Sequence, residues 1–227
     1  MLWRDNAPIS GLEVDVFGGG RVFRTLQPFL ESEGIRIGSI YDDVGTFGSA
    51  WDPAAYAARL SPPPMLYCVG YQPEALQRMA IRGGRYRKLV QDGVRFATYV
   101  SPQAQISPEC RIGNGSIIMP NAFLHCRVQL GECVYVNVGA LISHDGRIAD
   151  NVFLGPRATL AGEVSVESDV FIGVNATIID MMTIGFGALV AGGAVVTSPV
   201  GAQVLVAGVP ARVKKHLGPE SDAPEAP

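Results

Sequence analysis

The sequence is poor in the residues that most enzymes use for nucleophilic or metal chemistry. It has three histidines (His125, His144, His216) and four cysteines (Cys68, Cys110, Cys126, Cys133). No two cysteines form a Cys-x-x-Cys pair, so the ligand spacing of a structural zinc site is absent and no metal is expected. A disulfide framework is equally unsupported; free thiols of a cytoplasmic protein fit better. Cationic excess is missing too: the net charge is −3, which gives nucleic acid no basic surface to bind. No uniformly apolar run approaches the length of a membrane span. The opening Met1-Leu2-Trp3-Arg4-Asp5 carries no signal-peptide core.

What the chain has instead is a period. Counting in sixes from Ile106 gives Ile112, Ile118, Leu124, Leu130, Val136, Ile142 and Ile148, and continues without a break to Val196. All sixteen positions are Ile, Leu or Val. Two residues before each stands a mostly small side chain, as at Ala122, Ala140, Ala158 and Ala176. An ordinary alternating strand could imitate this for two or three cycles, but hairpin turns would break the phase. A sixfold repeat this long predicts a β-solenoid whose aliphatic side chains stack inside in columns. Several of the aliphatics are followed by glycine (Gly113, Gly131, Gly155, Gly173, Gly185), where a backbone conformation hindered by a β-carbon is expected.

Ahead of the repeat, residues 1–100 read as a small α/β unit. Leu12–Phe17 is a predicted strand, Gly18-Gly19-Gly20 a turn, Arg21–Glu33 a helix, and Ile35–Tyr41 a second strand. Met65–Gly70 reads as a third strand, Glu74–Lys88 as a helix, and residues 1–13 as an irregular lead-in. Strands alternating with helices make a parallel sheet. A glycine turn between the first strand and helix can hold a phosphate on helix N-terminal amides, and an acidic residue closing the second strand can meet a ribose or base. Gly18, Gly19, Gly20 and Asp42-Asp43 stand in those two places.

The layout, Tyr41-Asp42-Asp43, Val69-Gly70, Asn137-Val138-Gly139, Ser143-His144-Asp145 and Gly208-Val209-Pro210-Ala211-Arg212 carry a resemblance. The chain resembles the hexapeptide-repeat sugar acyltransferases related to sialic acid O-acetyltransferases, which include N-acetyltransferases of nucleotide-linked 4-amino sugars. The resemblance implies a Rossmann-like α/β domain over 1–100 and a left-handed parallel β-helix over 101–200. A capping segment is expected over 201–217, with Val209–Leu217 as a short helix, and the polar, Pro-rich residues 218–227 as a disordered tail. The α/β domain is expected to cap the N-terminal end of the coil. Acetyl-CoA is the implied acyl donor. The implied acceptor is a nucleotide-linked amino sugar destined for surface glycan such as O-antigen, and the implied assembly is a homotrimer with active sites at subunit interfaces. Alternatives are O-acetylation of a sialic-acid-like sugar, or a non-catalytic scaffold.

For the chemistry, an amine attacking a thioester needs a base, and a histidine suits neutral pH. His144 has an acidic neighbour, Asp145; His125 and His216 have none. Adjacent residues of a regular strand point to opposite faces, so Asp145 can orient His144 only if the chain turns there. The resemblance implies three hexads, or eighteen residues, per coil, which puts Gly162 directly above His144. The resemblance gives its N–H as the oxyanion donor, Asn137 as a positioning residue, and Gly173, Val174, Gly192 and Arg212 as coenzyme contacts. It makes Gly70 part of the acceptor site with the glycine turn.

Overall fold

The computed structural model describes residues 2–4, 7–8, 13–42, 48–59, 62–69 and 78–218. Two-residue strands recur every six residues from Gln105–Ile106 to Val195–Val196 and stack as three parallel sheets. Each residue pairs with the one eighteen positions on, as in Ile117↔Tyr135 and Tyr135↔Phe153. Of the repeating aliphatics, those from Ile118 onward are buried, with Ile142, Leu154, Leu160 and Ile172 fully inaccessible. The predicted solenoid and its register are therefore present.

The corners explain how six residues suffice for a strand and a turn. From Gly115 to Gly193, every sixth residue has a positive φ, at fourteen consecutive positions. Glycine, asparagine and aspartate hold many of these, the residues that visit the left-handed region most readily. The glycines that follow the aliphatics are not among them, so their expected conformational role is corrected. A β-carbon at Gly155 would lie 2.7 Å from Val174 N, and one at Gly173 would run into Gly192. Space between successive rungs requires glycine there.

The N-terminal sheet is parallel, in the order Ser49–Ala50, Arg36–Asp42, Glu13–Phe17, Met65–Tyr67. Helix α1 (Arg21–Ser32) buries Phe23, Leu26 and Leu30; α2 (Pro53–Ala57) is short and capped by Asp52; α3 (Arg78–Gln91) follows the last strand. The described residues of the unit do not cap the coil's end. Val14, Val16, Leu26 and Leu30 join one apolar cluster with Ile117, Met119 and Tyr135, outward-facing residues of the solenoid wall. That wall is apolar, so the domain covers it from the side. The first rung instead borders a cavity of about 360 Å³ lined by Val100, Ala104, Ile106, Cys110 and Ile112.

Two further expectations are corrected. Within the lead-in, Leu2–Arg4 pairs antiparallel with Thr98–Val100 and with Ala7–Pro8, covering the edge of the longest sheet. At the other end Arg212–His216 is a strand rather than a helix, antiparallel to Val204–Ala207. The cause is the same: a terminal rung presents unpaired amides and carbonyls, and an added strand satisfies them. The strand's exposed Arg, Lys and His side chains blunt the new edge. The predicted tail lies almost wholly outside the described residues.

α3 locks onto the coil through a buried polar network. Arg82, 2% exposed, donates to Val69 O at 2.9 Å, Cys133 O at 3.0 Å and Asn151 Oδ1. Asn151 Nδ2 donates to Met79 O and to Asp169 Oδ1. Gly83 permits the approach, since a β-carbon there would lie 2.5 Å from Asn151 Nδ2. Glycine weakens a helix interior; here closeness to the corner outweighs that cost.

Candidate active site

His144 lies between the strands Leu141–Ile142 and Arg147–Ile148, at a corner of the coil. Asp145 has φ 58°, and this left-handed turn brings its side chain back to its neighbour. His144 Nδ1 lies 3.0 Å from Asp145 Oδ2. The turn required for the pair is thus supplied by the same corner geometry that repeats along the coil. Arg127, one rung below Asp145, clamps that carboxylate with Nε–H to Oδ1 at 2.7 Å and Nη2–H to Oδ2 at 2.8 Å. The Arg127 bonds, followed by His144, hold the Asp145 carboxyl far below the usual carboxylate range. It therefore stays anionic and favours the imidazole tautomer with hydrogen on Nδ1. Nε2 is left as the acceptor.

Gly162 stands where the eighteen-residue step puts it. A β-carbon there would lie 2.5 Å from both Cε1 and Nε2 of His144, so only glycine leaves room for the ring. Its N–H donates to Asp180 Oδ1 at 2.9 Å. Replacement by alanine is expected to push the ring off its position and lower turnover about tenfold or more, since a misplacement of about 1 Å can cost a hundredfold. Kinetics of Gly162→Ala beside an unchanged melting temperature check this; wild-type turnover would show that the ring tolerates the methyl.

Sequence reasoning missed three neighbours. Arg127 and Asp180 lie one coil from Asp145 and Gly162, so the arithmetic that located Gly162 also reaches them. His125 sits with its ring 6.2 Å from that of His144, edge-on, and its Nδ1 is 3.1 Å from Cys126 Sγ. His216 is exposed on the final strand.

The other candidates fall at separate places. Asn137, Val174 and Gly192 stand at the corner that enters the six-stranded face, and His144 at the corner that leaves it. They do not meet within one chain. Asn137 Oδ1 accepts the Val138 N–H at 2.8 Å; Gly193 N–H donates to Val174 O, placing Gly192 beside Val174. Gly173 N–H is used in the rung ladder, by Val190 O. Arg212 is exposed on the last rung.

In the N-terminal domain, Gly18 has φ 96° and packs so closely on residues 68–69 that a β-carbon would lie 2.9 Å from Val69 N. Gly19 links it to Gly20, which precedes α1 and gives the helix's first amides no side-chain cap. Asp42 closes the second strand and is buried. Asp43 and Gly70 lie outside the described residues. All four cysteines are free, and burial pushes Cys68 up to about 12 and Cys133 to about 11. Among the described residues no group of three His, Cys, Asp or Glu could hold a metal ion, and no helix is long and apolar enough to cross a membrane.

Residues 163–198 match the family described as the hexapeptide repeat of succinyl-transferase. A search of curated protein sequences returned no match. Among solved structures the chain is similar to a histidine variant of GDP-perosamine N-acetyltransferase from Caulobacter crescentus, in complex with CoA and GDP-perosamine. Identity is 28% and the TM-score 0.80, over 89% of this chain and 97% of that one. The fold is shared with the acetyltransferase domain of PglB from Neisseria gonorrhoeae, at 23% identity and TM-score 0.76 over 90% of this chain and 100% of that one. It is also shared with WeeI from Acinetobacter baumannii, at 24% and 0.74 over 88% and 99%. The solenoid is a left-handed β-helix like that of these proteins, and the chain shares with them both its hexapeptide repeat and the α/β domain that precedes it.

Proposed function

We propose that the protein transfers the acetyl group of acetyl-CoA to the amino group of a nucleotide-linked sugar. The observation that carries this reading is His144, with Nδ1 fixed by Asp145 and Nε2 turned toward Gly162. The perosamine enzyme, complexed with CoA and GDP-perosamine, supports the choice of donor and acceptor class. In this mechanism the amine nitrogen attacks the thioester carbonyl carbon and the carbon–sulfur bond breaks. His144 Nε2 takes the proton the nitrogen sheds and returns it to the departing thiolate. Asp145 and Arg127 hold the ring through both transfers. The Gly162 N–H is the donor for the carbonyl oxygen as it gains charge.

Gly18 to Gly20 and α1's first amides would receive the nucleotide's phosphates, with Asp42, Asp43 and Gly70 around its sugar. Val174, Gly173, Gly192 and Arg212 would receive the coenzyme. Since Val174 and His144 stand at different corners, a complete site needs a neighbouring copy. Exposed Val138, Val174, Ile179, Met181 and Phe186 give the coil's sides an apolar character suited to one, and a homotrimer is the assembly we favour. Free thiols fit a cytoplasmic enzyme, and surface glycan such as O-antigen is the destination of such a product.

The test is thiol release from acetyl-CoA with UDP-, GDP- and dTDP-linked 4-amino sugars, with sedimentation of the same sample. Release with a nucleotide-linked amino sugar by a three-chain particle is expected. Coenzyme binding without release from any acceptor would favour a scaffold, and a one-chain active particle would refute the shared site.

A further inference from the structure

The mechanism above uses Asp145 and leaves a second carboxylate at the same corner without a role. Asp180 stands two rungs above His144, with Gly162 between them. Its side chain is exposed, and Oδ1 accepts the Gly162 N–H at 2.9 Å. The point where a β-carbon would project from Gly162 lies 2.5 Å from His144 Nε2 and 3.2 Å from Asp180 Oδ1. Base and carboxylate therefore flank one small region of space. Asp145 is on the other side of the ring, engaged by Nδ1 and by Arg127. Asp180 has no such clamp: among the described residues it pairs with no Lys, Arg or His.

An anion beside the attacking position has opposite consequences for the two kinds of acceptor. A sugar amine near neutral pH carries a proton and a positive charge; a carboxylate next to the base binds it and holds it in reach. A hydroxyl acceptor is neutral and gains negative charge as it loses its proton, which a neighbouring carboxylate opposes. The same carboxylate also holds the amide that the acyl oxygen needs. Because its side chain is exposed, Asp180 can turn away from Gly162 toward an incoming cation without breaking a buried contact.

We propose that Asp180 is the residue that selects an amine acceptor: it binds the ammonium beside His144 and yields the Gly162 N–H to the thioester carbonyl. This rests on the acyl-transfer reading. The ammonium passes one proton to water through His144, and the neutral nitrogen attacks the carbonyl carbon. The carbon–sulfur bond breaks, and the second nitrogen proton reaches the leaving thiolate through His144. Asp180 exchanges no proton and forms no bond; it positions the nitrogen.

The experiment compares wild type with Asp180→Asn and Asp180→Glu, using acetyl-CoA with a nucleotide-linked amino sugar and with its hydroxyl counterpart. Asparagine keeps the shape and the acceptor for Gly162 while removing the charge. The KM for the amine is expected to rise about tenfold or more, from the loss of a hydrogen bond to a charged group. Coenzyme affinity by calorimetry stays unchanged, the preference for amine over hydroxyl falls by a similar factor, and glutamate restores part of the amine KM. An unchanged amine KM in Asp180→Asn, or an effect confined to coenzyme affinity, overturns the assignment while the acyl-transfer reading stands. A wild type that releases no thiol with any acceptor, or that prefers the hydroxyl, overturns both.

Discussion

Replacing His144 with alanine is expected to lower turnover by about a hundredfold or more, the usual contribution of a positioned general base, with coenzyme affinity nearly intact. The geometry leaves no ready substitute. Asp145 stays anionic but is engaged by Nε and Nη2 of the Arg127 guanidinium. His125 is within 6.2 Å, ring to ring, yet its Nδ1 faces Cys126 Sγ, and its backbone N–H is tied to Ile142 O in the rung ladder. The variant should also fold normally, because His144 is part-exposed and its neighbours keep their own bonds. Steady-state kinetics, coenzyme calorimetry and a melting curve on one preparation separate the outcomes. Turnover within a few-fold of wild type would remove His144 from the chemistry. A collapse of coenzyme affinity would make it a binding residue.

Why this pair could be singled out from sequence, and its surroundings only partly, follows from how the coil is built. A period of six is a local property, so Ile106 to Val196 announce strand, corner and column at once. His144-Asp145 looks unpromising by strand alternation, but in this phase the second residue falls on a left-handed corner, as Asn121 and Asn151 do. Arg127 and Asp180 are eighteen residues from their partners, invisible to any local window and plain once the coil length is applied. Other features depend on what a neighbour leaves open. Leu2–Arg4 and Arg212–His216 become strands because the solenoid's terminal rungs expose unpaired backbone, and neither segment's own residues insist on it. The placement of the α/β domain on the side of the coil follows from outward-facing Ile117, Met119 and Tyr135, positions whose polarity the inward repeat does not constrain. Gly83 reads as a flaw in a helix until Asn151 is seen against it.

That contact leads to the second large effect expected, on stability. Arg82→Met keeps most of the apolar stem of the side chain but deletes the guanidinium. Val69 O, Cys133 O and Asn151 Oδ1 then lose their donor, and Asn151, whose amide holds the buried carboxylate of Asp169, loses the partner that fixes its other end. Removing one partner from such a buried charged network costs about 3 kcal/mol or more, a large share of the stability of an ordinary domain. The loss should be local in structure. The solenoid's core from Ile118 to Val206 contains none of these groups, so its amides should retain their protection in hydrogen exchange while those of α3 become labile. Because Val69 continues from the strand that packs against Gly18, the same change should weaken nucleotide-sugar binding and leave coenzyme binding alone. A denaturant midpoint equal to wild type, or amide protection lost equally along the coil, would show that the apolar contacts of Tyr86 and Leu89 hold the domain in place and that the Arg82 network does not.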